Sequence, residues 1–146
     1  MTLCPVTEEN RAAAERLAVA PGQEDFIESV PECLREADAL SDWRPMLICA
    51  DGAPVGFTMY GDIRCETPAR LWFDRLLIDG HCQHRGLGRR AVETILRRLR
   101  QDYPGKDIYL SAYEDNERAI ALYRSFGFAF NGELDTKGEK IMVLRA

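Results

Sequence analysis

Histidine is scarce in this chain. Its 146 residues contain only two, His81 and His84. A histidine-based metal centre is therefore not expected. The five cysteines, Cys4, Cys33, Cys49, Cys65 and Cys82, are scattered, odd in number and never spaced Cys-x-x-Cys. That pattern argues against a disulfide framework or a zinc site, and for a reducing compartment. No apolar run approaches the roughly 18–20 residues that span a bilayer. The opening residues, Met1-Thr2-Leu3-Cys4-Pro5-Val6, lack the basic-then-apolar order of a secretory leader. The expectation is a cytoplasmic protein without a membrane partner. Basic residues are not in excess either: the net charge of −5 disfavours loose association with nucleic acid. There is no repeat, linker or low-complexity segment, so residues 1–146 are expected to form a single domain with a sizeable core.

What is present is unevenly placed. Arginines crowd residues 85–100, and acids crowd the first forty-odd residues: Glu24, Asp25, Glu28, Glu32, Glu36, Asp38 and Asp42. Such a division suits an anionic cofactor and a cationic co-substrate. Taken singly, most of these acids are more simply a solvated helix face.

Strand-like and helix-like periods alternate along the chain. Leu3–Val6 reads as a strand, and Thr7 as the N-cap of a helix from Glu8 to about Val19. Pro21-Gly22 breaks it. Phe26, Ile27, Val30, Leu34 and Ala37 predict a second helix, its regular part starting near Ser29 or Val30 because Pro31 fits a first turn. Glu28, Glu32 and Glu36 are then expected on one outward face. Met46–Ala50 and Val55–Asp62 are strands around the Asp51-Gly52 turn. Ala69–Ile78 is the next strand, followed by a glycine-bearing turn and an amphipathic helix to Gln101. Asp107–Tyr113 is a further strand. Asn116 opens a helix to Phe126, with Gly127 at C′. Two strands, Phe128–Leu134 and Lys140–Leu144, close the chain. The order β-α-α-β-β-β-α-β-α-β-β predicts an α/β fold with a mixed sheet.

The turn between Ile78 and the helix, Gln83-His84-Arg85-Gly86-Leu87-Gly88-Arg89, carries chemistry. Glycines allow close backbone approach, the helix start offers unpaired N–H groups and a positive dipole end, and the basic side chains add donors. Together they suit a pyrophosphate. The bland alternative is a tight strand–helix connection with solvated arginines. Gly86-x-Gly88-x-x-Ala91 also fits a dinucleotide fingerprint. That motif wants its first glycine at the strand end and an acid closing the next strand. About seven residues intervene here, and Asp107 precedes its strand.

The pattern Gln83-x-x-Gly86-x-Gly88 resembles the acetyl-CoA motif of the GNAT N-acetyltransferase superfamily. The segment Asn116-x-x-Ala119-x-x-Leu122-Tyr123-x-x-x-Gly127-Phe128 resembles that family's second signature. The resemblance covers essentially the whole chain and implies a GNAT-like fold, in which two parallel strands splay apart around the pantetheine arm. It implies acetyl-CoA as co-substrate, with contacts from Leu76, Leu77, Ile78, Gln83, His84, Arg85, Gly86, Leu87, Gly88, Arg89, Asn116 and Tyr123. The Leu77 N–H is a candidate donor to the thioester carbonyl. Asn116 also suits a plain N-cap. Tyr123 corresponds to the family's general acid, although a tyrosine between Leu122 and Phe126 is otherwise a core residue. No metal is implied, and homodimers are common in the family.

Local strings such as Phe26-Ile27-Glu28-Ser29-Val30 and Val55-Gly56-Phe57-Thr58-Met59-Tyr60-Gly61 resemble bacterial spermine/spermidine acetyltransferases. Asp74 and His81-Cys82 depart from that pattern. The resemblance implies a polyamine acceptor. Asp74, on the strand entering the site, and Glu28, Glu32 and Glu139, if the second helix or the last hairpin approaches the cleft, are candidate bases or substrate-binding acids, a water relay being the alternative. Another primary amine (an amino acid, an aminoglycoside, a protein N-terminus or a lysine) fits the same chemistry. A nonenzymatic CoA-binding module would keep the cradle without turnover.

Overall fold

The computed structural model of the chain describes residues 1–23 and 27–146. Glu24, Asp25 and Phe26 lie outside the described residues, so the expected contributions of those acids and of Phe26 go undescribed. Seven strands form one mixed sheet: β1 (Thr2–Pro5), β2 (Arg44–Ala50), β3 (Ala53–Ile63), β4 (Arg70–Ile78), β5 (Ile108–Ala112), β6 (Ala129–Leu134) and β7 (Lys140–Leu144). Their spatial order is β1-β2-β3-β4-β5-β7-β6. Among the described residues the only parallel neighbours are β4 and β5. Among the described residues four α-helices interleave: α1 (Arg11–Glu15), α2 (Val30–Ala39), α3 (Leu87–Asp102) and α4 (Glu117–Ser125). Among the described residues no helix is long and apolar enough to cross a membrane.

The sheet is apolar on both faces and separates two cores. On one side α3 buries Ala91, Val92, Ile95 and Leu99 completely against Leu71, Phe73, Ile108, Leu110 and Met142. This is the apolar stripe of an amphipathic helix meeting alternating strand residues. On the other side Ala14, Leu17, Val30, Cys33 and Leu34 pack on Leu47, Phe57, Met59 and Leu77. The Cys33 thiol, buried there, is pushed up to about 11 by loss of solvent, so it is a core thiol rather than a nucleophile.

The expected element order and most boundaries match within a few residues. The first helix does not. It is only five residues long, and Asn10 rather than Thr7 precedes it. Asn10 Oδ1 accepts from the Thr7 N–H at 2.7 Å, so residues 7–10 fold into a turn that delays the helix. For α2 the expected start holds: Ser29 is the N-cap, in a capping box with Glu32. The predicted outward face of three glutamates holds only in part: Glu32 and Glu36 are exposed on α2, whereas Glu28 precedes the helix and is half-buried. Glu32 is taken by that cap, while Glu28 and Glu36 turn to the buried Arg75.

Two features open the sheet. The β4–β5 ladder contains only Leu71↔Ile108 and Trp72↔Tyr109. Beyond these pairs the strands diverge. A β-bulge then interrupts β4: Met59 faces Arg75 and Tyr60 faces Phe73, leaving Asp74 without a partner on β3. The buried Thr58 hydroxyl donates to the Arg75 carbonyl at 2.6 Å and steadies the bulge. The extra residue reverses the alternation. Leu71 and Phe73 face the α3 core, as do Leu76 and Ile78, whereas Leu77 faces the α1–α2 core.

Candidate active site

The divergence of β4 and β5 leaves a cleft of about 610 Å³ through the middle of the molecule, within the roughly 300–1,000 Å³ of small-molecule sites. Of the sixteen expected cofactor and substrate residues, Leu76, Leu77, Ile78, Gln83, His84, Gly86, Leu87, Gly88, Arg89, Asn116, Tyr123, Glu28, Asp74 and Glu139 all line it. Arg85 and Glu32 do not. Arg85 is exposed beside the turn, and Glu32 is held by the Ser29 cap.

One end of the cleft is a bed of donors. Gly86 precedes α3 in a left-handed conformation (φ 72°), and His84 shares that region at φ 64°. No side chain caps α3, so the N–H groups of Leu87, Gly88 and Arg89 have no helical acceptor. Gly88 needs neither its conformation nor a tight neighbour. A Cβ there would meet only Leu122 Cδ2 at 3.8 Å. The space beside it therefore belongs to the cleft. Gln83 fixes the turn to the strand: its Nε2 donates to the Ile78 carbonyl at 3.0 Å and to Gln23 Oε1 at 2.9 Å. Arg89 lies over the Phe126 ring and donates to Ser125 Oγ at 3.0 Å. Arg118, in the first turn of α4, also lines this end.

The β4 wall offers backbone, but not as expected. The Asp79 N–H donates to Val55 on β3, and the Ile78 carbonyl accepts from Gln83. Strand alternation then turns the Leu77 N–H toward β3 and the peptide groups of Leu76 and Ile78 toward the cleft. The Leu77 N–H, the expected donor to a thioester, is therefore turned away from the cleft. Asn116 does serve as N-cap of α4, accepting from the Ala119 N–H at 3.4 Å.

Tyr123 stands between the two ends. Its ring meets Phe73 edge-on at 5.9 Å and Phe128 at 6.0 Å. Its hydroxyl makes no hydrogen bond among the described residues. Burial alone raises its pKa well above the usual 10, so the phenol is protonated at neutral pH.

The far end is acidic. Asp74, Glu28 and Glu139 line it with Arg75. Arg75 Nη1 lies 2.5 Å from Asp74, Nη2 lies 2.9 Å from Glu36, and Nε lies 3.1 Å from Glu28. The last pair is close, yet off the hydrogen-bond line: Arg75 Nε has no hydrogen-bond partner among the described residues. Burial is the largest effect on Asp74 and pushes it up to about 6, against the pull of Arg75. Burial also raises Glu28, but Lys137 and Arg75 outweigh it, and that carboxyl sits below its ordinary value. Glu139 is raised, chiefly by burial, while Ser111 Oγ donates to it at 2.7 Å. Arg75, Ser111 and Arg118 were missed in the sequence. The signal for Arg75 was there, as a charged residue beside Asp74 amid the apolar residues of the strand. Ser111 and Arg118 gave none. Among the described residues no group of three His, Cys, Asp or Glu side chains is placed to hold a metal ion.

The profile of the acetyltransferase (GNAT) family matches residues 12–128. The chain is 43% identical over 142 residues to a probable spermine N(1)-acetyltransferase of Bacillus subtilis subsp. natto (strain BEST195), covering 94% of this chain and 93% of the relative. It is 42% identical, with the same coverage, to the spermine/spermidine N(1)-acetyltransferase of Bacillus subtilis strain 168. The fold superposes on an aminoglycoside acetyltransferase AAC(6')-Ib solved with coenzyme A, with a TM-score of 0.81, 20% identity and coverage of 99% of this chain and 94% of that one. A splayed parallel strand pair, an uncapped helix mouth at its end and these matches together place the chain in the GNAT acetyltransferase family.

Proposed function

We propose that this protein transfers the acetyl group of acetyl-CoA to a primary amine of a polyamine, with Tyr123 as general acid. The observation that carries the reading is the polarity of one continuous cleft: free N–H groups at one end, three carboxylates at the other, and a protonated phenol between. The two relatives at 42–43% identity are named for spermine and spermidine, which favours that acceptor over other amines. The membership of all seven strands in one sheet supports reading residues 1–146 as one catalytic domain.

Acetyl-CoA supplies an acyl group activated as a thioester. The N–H groups of Leu87, Gly88 and Arg89, with His84 and Arg118, suit its diphosphate. The space beside Gly88, which only a Cβ would narrow, fits close approach of that group. Leu76 and Ile78 offer peptide groups to the amide-bearing arm. At the acidic end, Glu28, Asp74 and Glu139 hold the cationic acceptor. Asp74, with a proton affinity near neutrality, takes a proton from the attacking ammonium, directly or through water. The amine lone pair then forms the C–N bond as the C–S bond breaks. Tyr123 gives its proton to the leaving sulfur, and the nitrogen sheds its second proton as the neutral amide forms, which restores the phenol directly or through water.

The test is thiol release from acetyl-CoA against a panel of spermidine, spermine, putrescine, amino acids, aminoglycosides and a lysine peptide. The expected result is a kcat/KM highest for spermidine or spermine. A preference for any other member would overturn the acceptor, and no thiol release with any amine would overturn catalysis.

A further inference from the structure

The acidic end of the cleft already holds an ammonium. Lys137, in the turn between β6 and β7, places Nζ on Glu28 Oε1, 109 residues away in sequence. Glu28 lines the cleft, whereas Lys137 reaches it from the rim. The other oxygen of the same carboxylate stands 3.1 Å from Arg75 Nε, in a side chain only 9% exposed. That buried Nε lacks a hydrogen bond, so the Glu28 carboxylate is drawn off the line that would satisfy it. One carboxylate is thus shared between a buried guanidinium and a surface amine.

Only one of the two partners is free to leave. Arg75 is anchored by Asp74 and Glu36 as well. The Lys137 side chain is 49% exposed, on a flexible stem in a tight turn before Gly138. Its charged group is also the same functional group as a polyamine's nitrogen. We propose that Lys137 occupies the subsite for the second ammonium of a polycationic acceptor, and that the acceptor displaces it from Glu28. This rests on the polyamine reading above. The exchange replaces one ammonium with another on the same oxygen, so the site's charge balance is unchanged. It makes Lys137 a specificity-determining residue. An acceptor with a single ammonium leaves the Lys137–Glu28 pair alone, and one with a second ammonium must compete with it.

The test is steady-state kinetics on the full chain with spermidine and with a monoamine that the protein turns over. Lys137→Met keeps the stem and removes the charge. The expected result is a fall in the spermidine KM of up to about five-fold, the range of partly exposed ion pairs, with the monoamine KM unmoved. Glu28→Gln should raise the spermidine KM, and adding Lys137→Met to it should then lower nothing, because the contested carboxylate is gone. Lys137→Arg keeps the competitor, so its spermidine KM should stay at or above that of the parent. A spermidine KM that is unchanged or raised in Lys137→Met, or one that falls in Lys137→Arg, would overturn the proposal and leave Lys137 a strut. If the unaltered protein acetylates no polyamine, the acceptor reading fails first and takes this inference with it.

Discussion

Tyr123 and Asp74 show how single side chains acquire chemistry from their surroundings. Tyr123 has no charged neighbour among its pKa influences, and desolvation alone keeps it protonated. General acids typically contribute about 10²–10⁴-fold. Tyr123→Phe should therefore lower kcat by at least about 100-fold while leaving the acetyl-CoA KM within a few-fold. A mutant with near-normal kcat would show that the phenol is only packing. Asp74 titrates at about 6 instead of 3.8, mainly because it is buried. A folded-state pKa above the unfolded one means that its contribution to stability is present below pH 3.8 and lost as pH rises through 6. In the proposed mechanism its charged form binds and deprotonates the ammonium, so activity should run the other way. The kcat/KM for the amine should rise with pH along a limb near 6, and Asp74→Asn should remove that limb. A limb that persists in the mutant belongs to another group. Asp74 and Tyr123 were both visible as candidates in the sequence. Arg75, which pulls against the burial that raises Asp74, showed there only as a charge in the strand, because Glu28 and Glu36, which also bind it, come from outside that strand.

At the scale of elements, the mouth of α3 separates stability from function. A glycine in a helix is about 1 kcal/mol less favourable than alanine, and nothing in the structure requires Gly88: its conformation is ordinary and a methyl group has room. Gly88→Ala should leave stability equal or raise it by up to about 1 kcal/mol, measured by denaturant midpoint, while weakening coenzyme A in a binding titration. Unchanged affinity would remove the phosphate cradle from this site. The motif around Gly86 and Gly88 was legible because strand, turn and helix are contiguous in sequence. The expected Leu77 donor failed for a reason local patterns do not carry: a bulge in β4 and the pairing with β3 decide which peptide groups face the cleft. The first helix failed similarly, since the Asn10 side chain competes with the expected Thr7 cap.

At the scale of the whole molecule, Arg75 joins parts that the chain order keeps apart. It binds Asp74 on its own strand, Glu36 on α2 and Glu28 before α2, and Glu28 in turn meets the β6–β7 turn through Lys137. Removing one partner of a buried ionic network costs about 3–5 kcal/mol. Glu36 is 45% exposed and solvent screens it, so Arg75→Met should cost about 3 kcal/mol, at the lower end of that range. An equilibrium urea titration at neutral pH would measure it, and a loss below about 1 kcal/mol, the scale of surface pairs, would show that the network is dispensable.

The chain's own order of apolar periods, breakers and two glycine-bearing motifs determined the succession of elements, the mixed sheet and the place of the glycine-bearing turn at the mouth of α3. Each of these depends on residues a few positions apart, where hydrogen bonds and side-chain periods are local. Only the tertiary structure decided which carboxylates face the cleft and what holds them. The Asp74 bulge depends on register with β3, Arg75 meets Glu36 across 39 residues, and Lys137 meets Glu28 across 109. Those partners are chosen by how the sheet and helices pack, and no local pattern of residues encodes them.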